Sequence, residues 1–134
     1  MKKVKAIGIL VLICILFTAL ASFSFAQEEV NIENLIQLFV ENPSAAINML
    51  LDLAKTNPQA VALVLAGVAE RAPELEGQIK LACIALIDVD PAVAALCVAT
   101  IKDRVPELGQ RVEDIVVAAG LEESYLRAAS PVRP

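Results

Sequence analysis

Few side chains in this sequence could carry chemistry, and the first to weigh are its cysteines and its paired acids. Of three cysteines, Cys14 falls in an N-terminal apolar run, which leaves Cys83 and Cys97. Their spacing is not the C-x-x-C of a redox-active pair, and nothing nearby would hold a thiolate. Asp88 and Asp90 flank a turn and could touch a calcium ion, but the dense oxygen set of a calcium loop is absent, and Asp90 before Pro91 reads better as a helix cap. Glu28-Glu29 and Glu122-Glu123 read as solvated acids. Glycosidase-type work by paired carboxylates wants a cleft and sugar-stacking platforms, and a chain with one Tyr, four Phe and no Trp offers few. The absence of His removes the Ser-His-Asp and Cys-His arrangements and the commonest metal ligand. The glycines are scattered, so no phosphate-cradling loop forms. We therefore expect no catalytic activity, no cofactor and no metal.

The elements that would position any site are helices, and they are marked by proline. Pro43, Pro58, Pro73, Pro91 and Pro106 fall at spacings of 15, 15, 18 and 15 residues. Asn42, Asn57 and Asp90 stand before three of them, the pairing of cap and first helical residue that opens a helix. Glu74 and Glu107 follow the other two and place a carboxylate in the first turn. A proline also disfavours helix at the residue before it, so each one closes a helix as it opens the next. Numbering each unit from its proline, positions three, seven and eleven are apolar in all five: Ala45, Met49 and Leu53; Ala60, Val64 and Val68; Leu75, Ile79 and Cys83; Val93, Cys97 and Ile101; Leu108, Val112 and Val116. Steps of four line one helical face. A further helix is expected from Asn31 or Ile32 to about Glu41, and a short one from Leu121 to about Ala128 after Gly120. No alternating strand pattern appears. The predicted fold is all-α: six to seven short helices in a ~15-residue repeat, closing into a compact bundle or a short α-solenoid.

Within that repeat Asp90 lies midway between Cys83 and Cys97, so an antiparallel hairpin would set the two cysteines level. In an exported chain this predicts a disulfide, worth roughly 3 kcal/mol in the chain-entropy view.

Export is predicted by the first 26 residues. Lys2, Lys3 and Lys5 precede an apolar run from Ala6 to Leu20, and small residues at Ser24 and Ala26 precede Gln27-Glu28-Glu29. This is the pattern of a secretory signal peptide cleaved after Ala26; the alternative is an uncleaved N-terminal anchor. Residues 27–129 then form a single domain and 130–134 a disordered tail, in the periplasm or outside the cell. Loss of the three lysines leaves 8 basic against 16 acidic residues, a net charge of −8 that argues against nucleic acid and anionic headgroups.

The second and fourth repeats carry no charge from Ala60 to Ala69 and from Ala92 to Ile101, so neither has a solvated face. An all-round apolar helix belongs in the centre of a bundle. In a two-layer solenoid each would instead leave an exposed strip, Leu63 and Gly67 on one and Leu96 and Thr100 on the next, available to a partner. In this general architecture the chain resembles Pro-punctuated α-solenoids of the tetratricopeptide or HEAT type. Their Trp/Gly/Tyr signature is absent, so the resemblance implies no functional residues. The function expected is protein–protein contact, as an adaptor or an envelope component, with an unknown partner or a second copy. The alternative is a membrane-active or apolar-ligand-binding protein built on the hairpin Leu81–Ile87 and Ala92–Ile101.

Overall fold

Asn42 shows how the chain turns its corners. Its backbone N–H donates to Leu38 O at 2.7 Å and closes one helix, while its Oδ1 accepts from the Ala45 N–H at 3.3 Å and opens the next. Asp90 does the same between Leu86 O at 2.8 Å and the Ala92 N–H at 3.0 Å. The pre-proline residues Asn42, Asn57, Ala72, Asp90 and Val105 all have φ between −162° and −132° with ψ between 65° and 108°, out of the helical region that a following proline disfavours. Three of the six connections between the described helices are thus single residues: Asn42, Asp90 and Val105.

The structure is a computed structural model and describes residues 30–133. The expected signal peptide and its cleavage after Ala26 lie outside the described residues. Seven α-helices and no strand occur among the described residues: α1 (Ile32–Glu41), α2 (Pro43–Leu53), α3 (Pro58–Arg71), α4 (Glu76–Val89), α5 (Pro91–Arg104), α6 (Pro106–Ala118) and α7 (Glu123–Ala128). Pro73 does not open α4 directly. Pro73–Leu75 forms a 3-10 turn, with no side-chain cap at Ala72, and α4 starts at Glu76. That turn absorbs the three residues by which the Pro73–Pro91 interval exceeds the others. The last helix also starts later than the sequence suggests. Gly120, at φ 113°, ends α6, and the Leu121 N–H donates back to Val116 O at 2.9 Å. Leu121 then folds under as a buried apolar plug instead of joining α7.

The helices fall into two rows. In one, α1 packs on α3, α3 on α5 and α5 on α7; in the other, α2 packs on α4 and α4 on α6. The most extensive pairing joins α3 to α5, the two helices without a charged side. Ala60 to Ala69 is buried throughout except Leu63, and Val93 to Ile101 except Leu96 and Ala99. The apolar stripe is buried from α3 to α6, apart from half-buried Leu75 in the 3-10 turn, but in α2 Met49 is half exposed while Ala46 and Leu50 are buried. A one-residue shift turns the inward face by about 100°. α2 packs chiefly against α1 and α4, and that pair sets which of its faces turns inward.

Candidate interaction surface

The expected Cys83–Cys97 disulfide is not formed. Both are free thiols, wholly buried and not at bonding distance. Equal height along two helices is only half of what a bridge needs, because the Cβ directions must also converge. Each cysteine instead fills a core position as a small apolar side chain. Burial pushes the Cys83 thiol up to about 12, and it pushes Cys97 well above the usual thiol range, aided by the proximity of Cys83. Neither is a thiolate at neutral pH. Asp88 and Asp90 are exposed at the α4–α5 corner, where Asp90 serves as the cap. Among the described residues no three His, Cys, Asp or Glu side chains gather as a metal would require.

The four residues of the predicted partner strips meet different fates. Gly67 is buried, and a Cβ there would stand 2.5 Å from Ile36 Cδ1, so α1 has laid its isoleucine across the glycine. Leu63, one turn earlier, stays half-buried. On α5, Leu96 is half-buried and Thr100 is fully buried. The Thr100 hydroxyl donates to Leu96 O at 2.8 Å and accepts the Val132 backbone N–H at 3.0 Å. The C-terminal segment, expected as a disordered tail, therefore lies against α5 as far as Arg133, and Pro134 is outside the described residues.

Around Leu63 and Gly67 a groove of about 330 Å³ opens along the α1, α3 and α5 row. Ile32, Ile36, Leu63 and Gly67 contribute apolar lining, and two ion pairs contribute the rest: Glu33 with Arg71 and Glu70 with Arg104. Arg71 grips Glu33 with both guanidinium nitrogens, at 2.7 Å from Nη2 to Oε1, a bidentate bond that joins α1 to α3. These bonds hold the Glu33 carboxyl below the usual carboxylate range and keep Arg71 charged. Arg104 Nη1 reaches Glu70 Oε1 at 3.3 Å and ties α5 to α3. Sequence reading missed all four charged residues. Glu33 and Arg71 are 38 positions apart, and only the packing of α1 on α3 brings them together.

Other ion pairs hold the fold together. Glu76 accepts from Arg111 at 2.7 Å and from Lys80 at 2.8 Å, tying α4 to α6, and those bonds lower its pKa to about 2. Lys102 meets Glu113 at 2.8 Å between α5 and α6. The basic side chains are largely spent on such pairs, so an acidic surface remains.

Compared with protein-family models, curated proteins and solved structures, the chain matches none.

Proposed function

We propose that this chain is a small exported helical-repeat protein, a short α-solenoid, that acts by protein contact as an adaptor or envelope component. The observation that carries the reading is the groove over Leu63 and Gly67, with apolar lining beside two ion pairs. Apolar surface bordered by polar groups suits recognition of a protein surface, where a buried apolar side chain anchors and the polar rim orients. Fixing the rim with bonds already made within the fold lowers the ordering cost of binding. Export rests on Lys2, Lys3 and Lys5, the apolar run and Ala26. It would deliver an acidic domain to the envelope or the medium.

The membrane-active or apolar-ligand-binding alternative, built on the Leu81–Ile87 and Ala92–Ile101 hairpin, is the weaker reading. The α5 half of its proposed hairpin lies largely in the core, α4 is partly buried, and no described helix is long and apolar enough to cross a membrane. The test is a photo-crosslinking residue placed at Leu63, with the same residue at exposed Leu81 on α4 as control. Discrete crosslinked products from position 63 and none from 81 support the reading. No product from either position, together with strictly monomeric light scattering, would overturn it. Mass spectrometry of the exported chain should show a start at Gln27.

A further inference from the structure

We propose that the strip on α5 is a docking site for an extended, proline-containing basic peptide of a partner protein, and that the chain's own C-terminal segment, Ala129–Arg133, is its resident occupant. Thr100 is the starting point. It is the one fully buried polar side chain among the described residues, and its hydroxyl accepts a backbone N–H from Val132, 32 residues away. A threonine inside a helix normally satisfies itself by donating to the carbonyl four residues back, and Thr100 does this to Leu96. That leaves an acceptor directed off the helix, the feature an extended chain can use without any demand on its side chain at that point.

One turn further on, Arg133 Nη2 stands 3.6 Å from Asp103 Oδ1, so a cation on the occupant meets an acid on the groove. Pro131 precedes both anchors and lines, with Ala99 and Leu126, a cavity of about 330 Å³. The occupant leaves the six-residue α7 in extended conformation, at φ −77° and ψ 136° for Ala129, and makes no helix. Such a polyproline-like backbone is already ordered before it binds. Its hold is light. Ala129, Pro131 and Val132 are only half-buried, and the Arg133 side chain remains 77% exposed. A segment held by one backbone bond and one rim ion pair is replaceable by a partner segment of the same apolar, proline and basic chemistry. The site is separate from the Leu63 groove and stands whether or not that groove holds a partner.

The experiment uses the chain ending at Ala128 and a synthetic peptide of residues 129–134, followed by fluorescence anisotropy. The shortened chain should bind the peptide saturably, and Thr100→Val or Asp103→Arg should each weaken that binding. The full chain should bind it at least about tenfold more weakly, because its own segment fills the site most of the time. No binding to a folded shortened chain, or equal binding by the full chain, overturns the proposal. If the shortened chain does not fold, amide exchange in the full chain decides. Val132 should be protected, less so in Asp103→Arg, and protected again in Asp103→Arg with Arg133→Glu. A Val132 amide that exchanges as fast as in a free peptide overturns it, as does protection that falls on dilution, which would place the segment on a second copy.

Discussion

Gly109 is where two helices touch backbone to backbone, and a single methyl group there tests the packing of α5 on α6. A Cβ at position 109 would stand 2.5 Å from Lys102 Cα and 2.6 Å from Lys102 N, where ordinary contact is 3.4–4 Å. Main-chain atoms cannot rotate aside, so α5 and α6 would have to separate by about 1 Å. A gap of that size on a dispersion contact forfeits roughly a quarter to a half of its well. The loss would fall on Leu108, Val112, Val98 and Ile101, all at most 2% exposed. Overpacking of this kind costs typically about 1–3 kcal/mol, and the better helix propensity of alanine returns about 1 kcal/mol. With the unyielding backbone placing the cost at the upper end, Gly109→Ala should destabilise by about 2 kcal/mol net, a fall in Tm of about 10 °C for a domain of this size. Gly77 is the matched control, since a Cβ there meets nothing within 4 Å. Gly77→Ala should therefore be neutral or stabilising by up to about 1 kcal/mol. Urea unfolding followed by circular dichroism at the helix band measures both. If Gly109→Ala is as stable as the parent chain, the close approach of α5 and α6 is wrong.

Three further outcomes are expected. Cys83 and Cys97, buried and neutral, should resist alkylation at pH 8 in the folded chain and react together on unfolding; fast labelling of the native protein would contradict their placement. Glu76, ordinarily near 4.5 and held at about 2, stabilises the fold fully above pH 4.5 and loses that contribution as pH falls through 2. Glu76→Gln should accordingly flatten acid destabilisation in that window, and by NMR the Glu76 carboxyl should titrate upward in Arg111→Ala. The change in stability should be small, because Arg111 is half exposed and screened by solvent. Asn57→Ala removes the acceptor for the Ala60 N–H at 3.2 Å and should cost about 1 kcal/mol in the same urea assay.

Which parts of this fold were legible in advance follows from the reach of each signal. The corners at Asn42, Asn57 and Asp90 were legible because a cap bonds two or three residues ahead and a proline acts on its neighbour. Pro73 misled: Ala72 brings no cap, as Val105 brings none before Pro106, yet only after Pro73 does the chain take a 3-10 turn before its helix. The stripe read true from α3 to α6 and failed in α2, whose inward face is set by its packing on α1 and α4 and not by the repeat. The disulfide expectation failed because spacing about Asp90 says nothing of the distance or direction between side chains on two packed helices.

Of the candidate surface, the sequence marked the helices and not their covering. Two helices without a polar side must be shielded, and Leu63, Gly67, Leu96 and Thr100 were visible as the strips in question. That Ile36 crosses Gly67 and that Val132 reaches Thr100 was decided only by the tertiary structure. By itself the sequence determined the proline-capped helix starts, the absence of histidine chemistry and the acidic balance, since each depends on residue type or on contacts within a turn. Tertiary structure decided the two rows, the Glu33–Arg71 rim and the seating of the C-terminal segment. An apolar helix face accepts any neighbour of suitable shape, and the choice falls to packing summed over the whole chain.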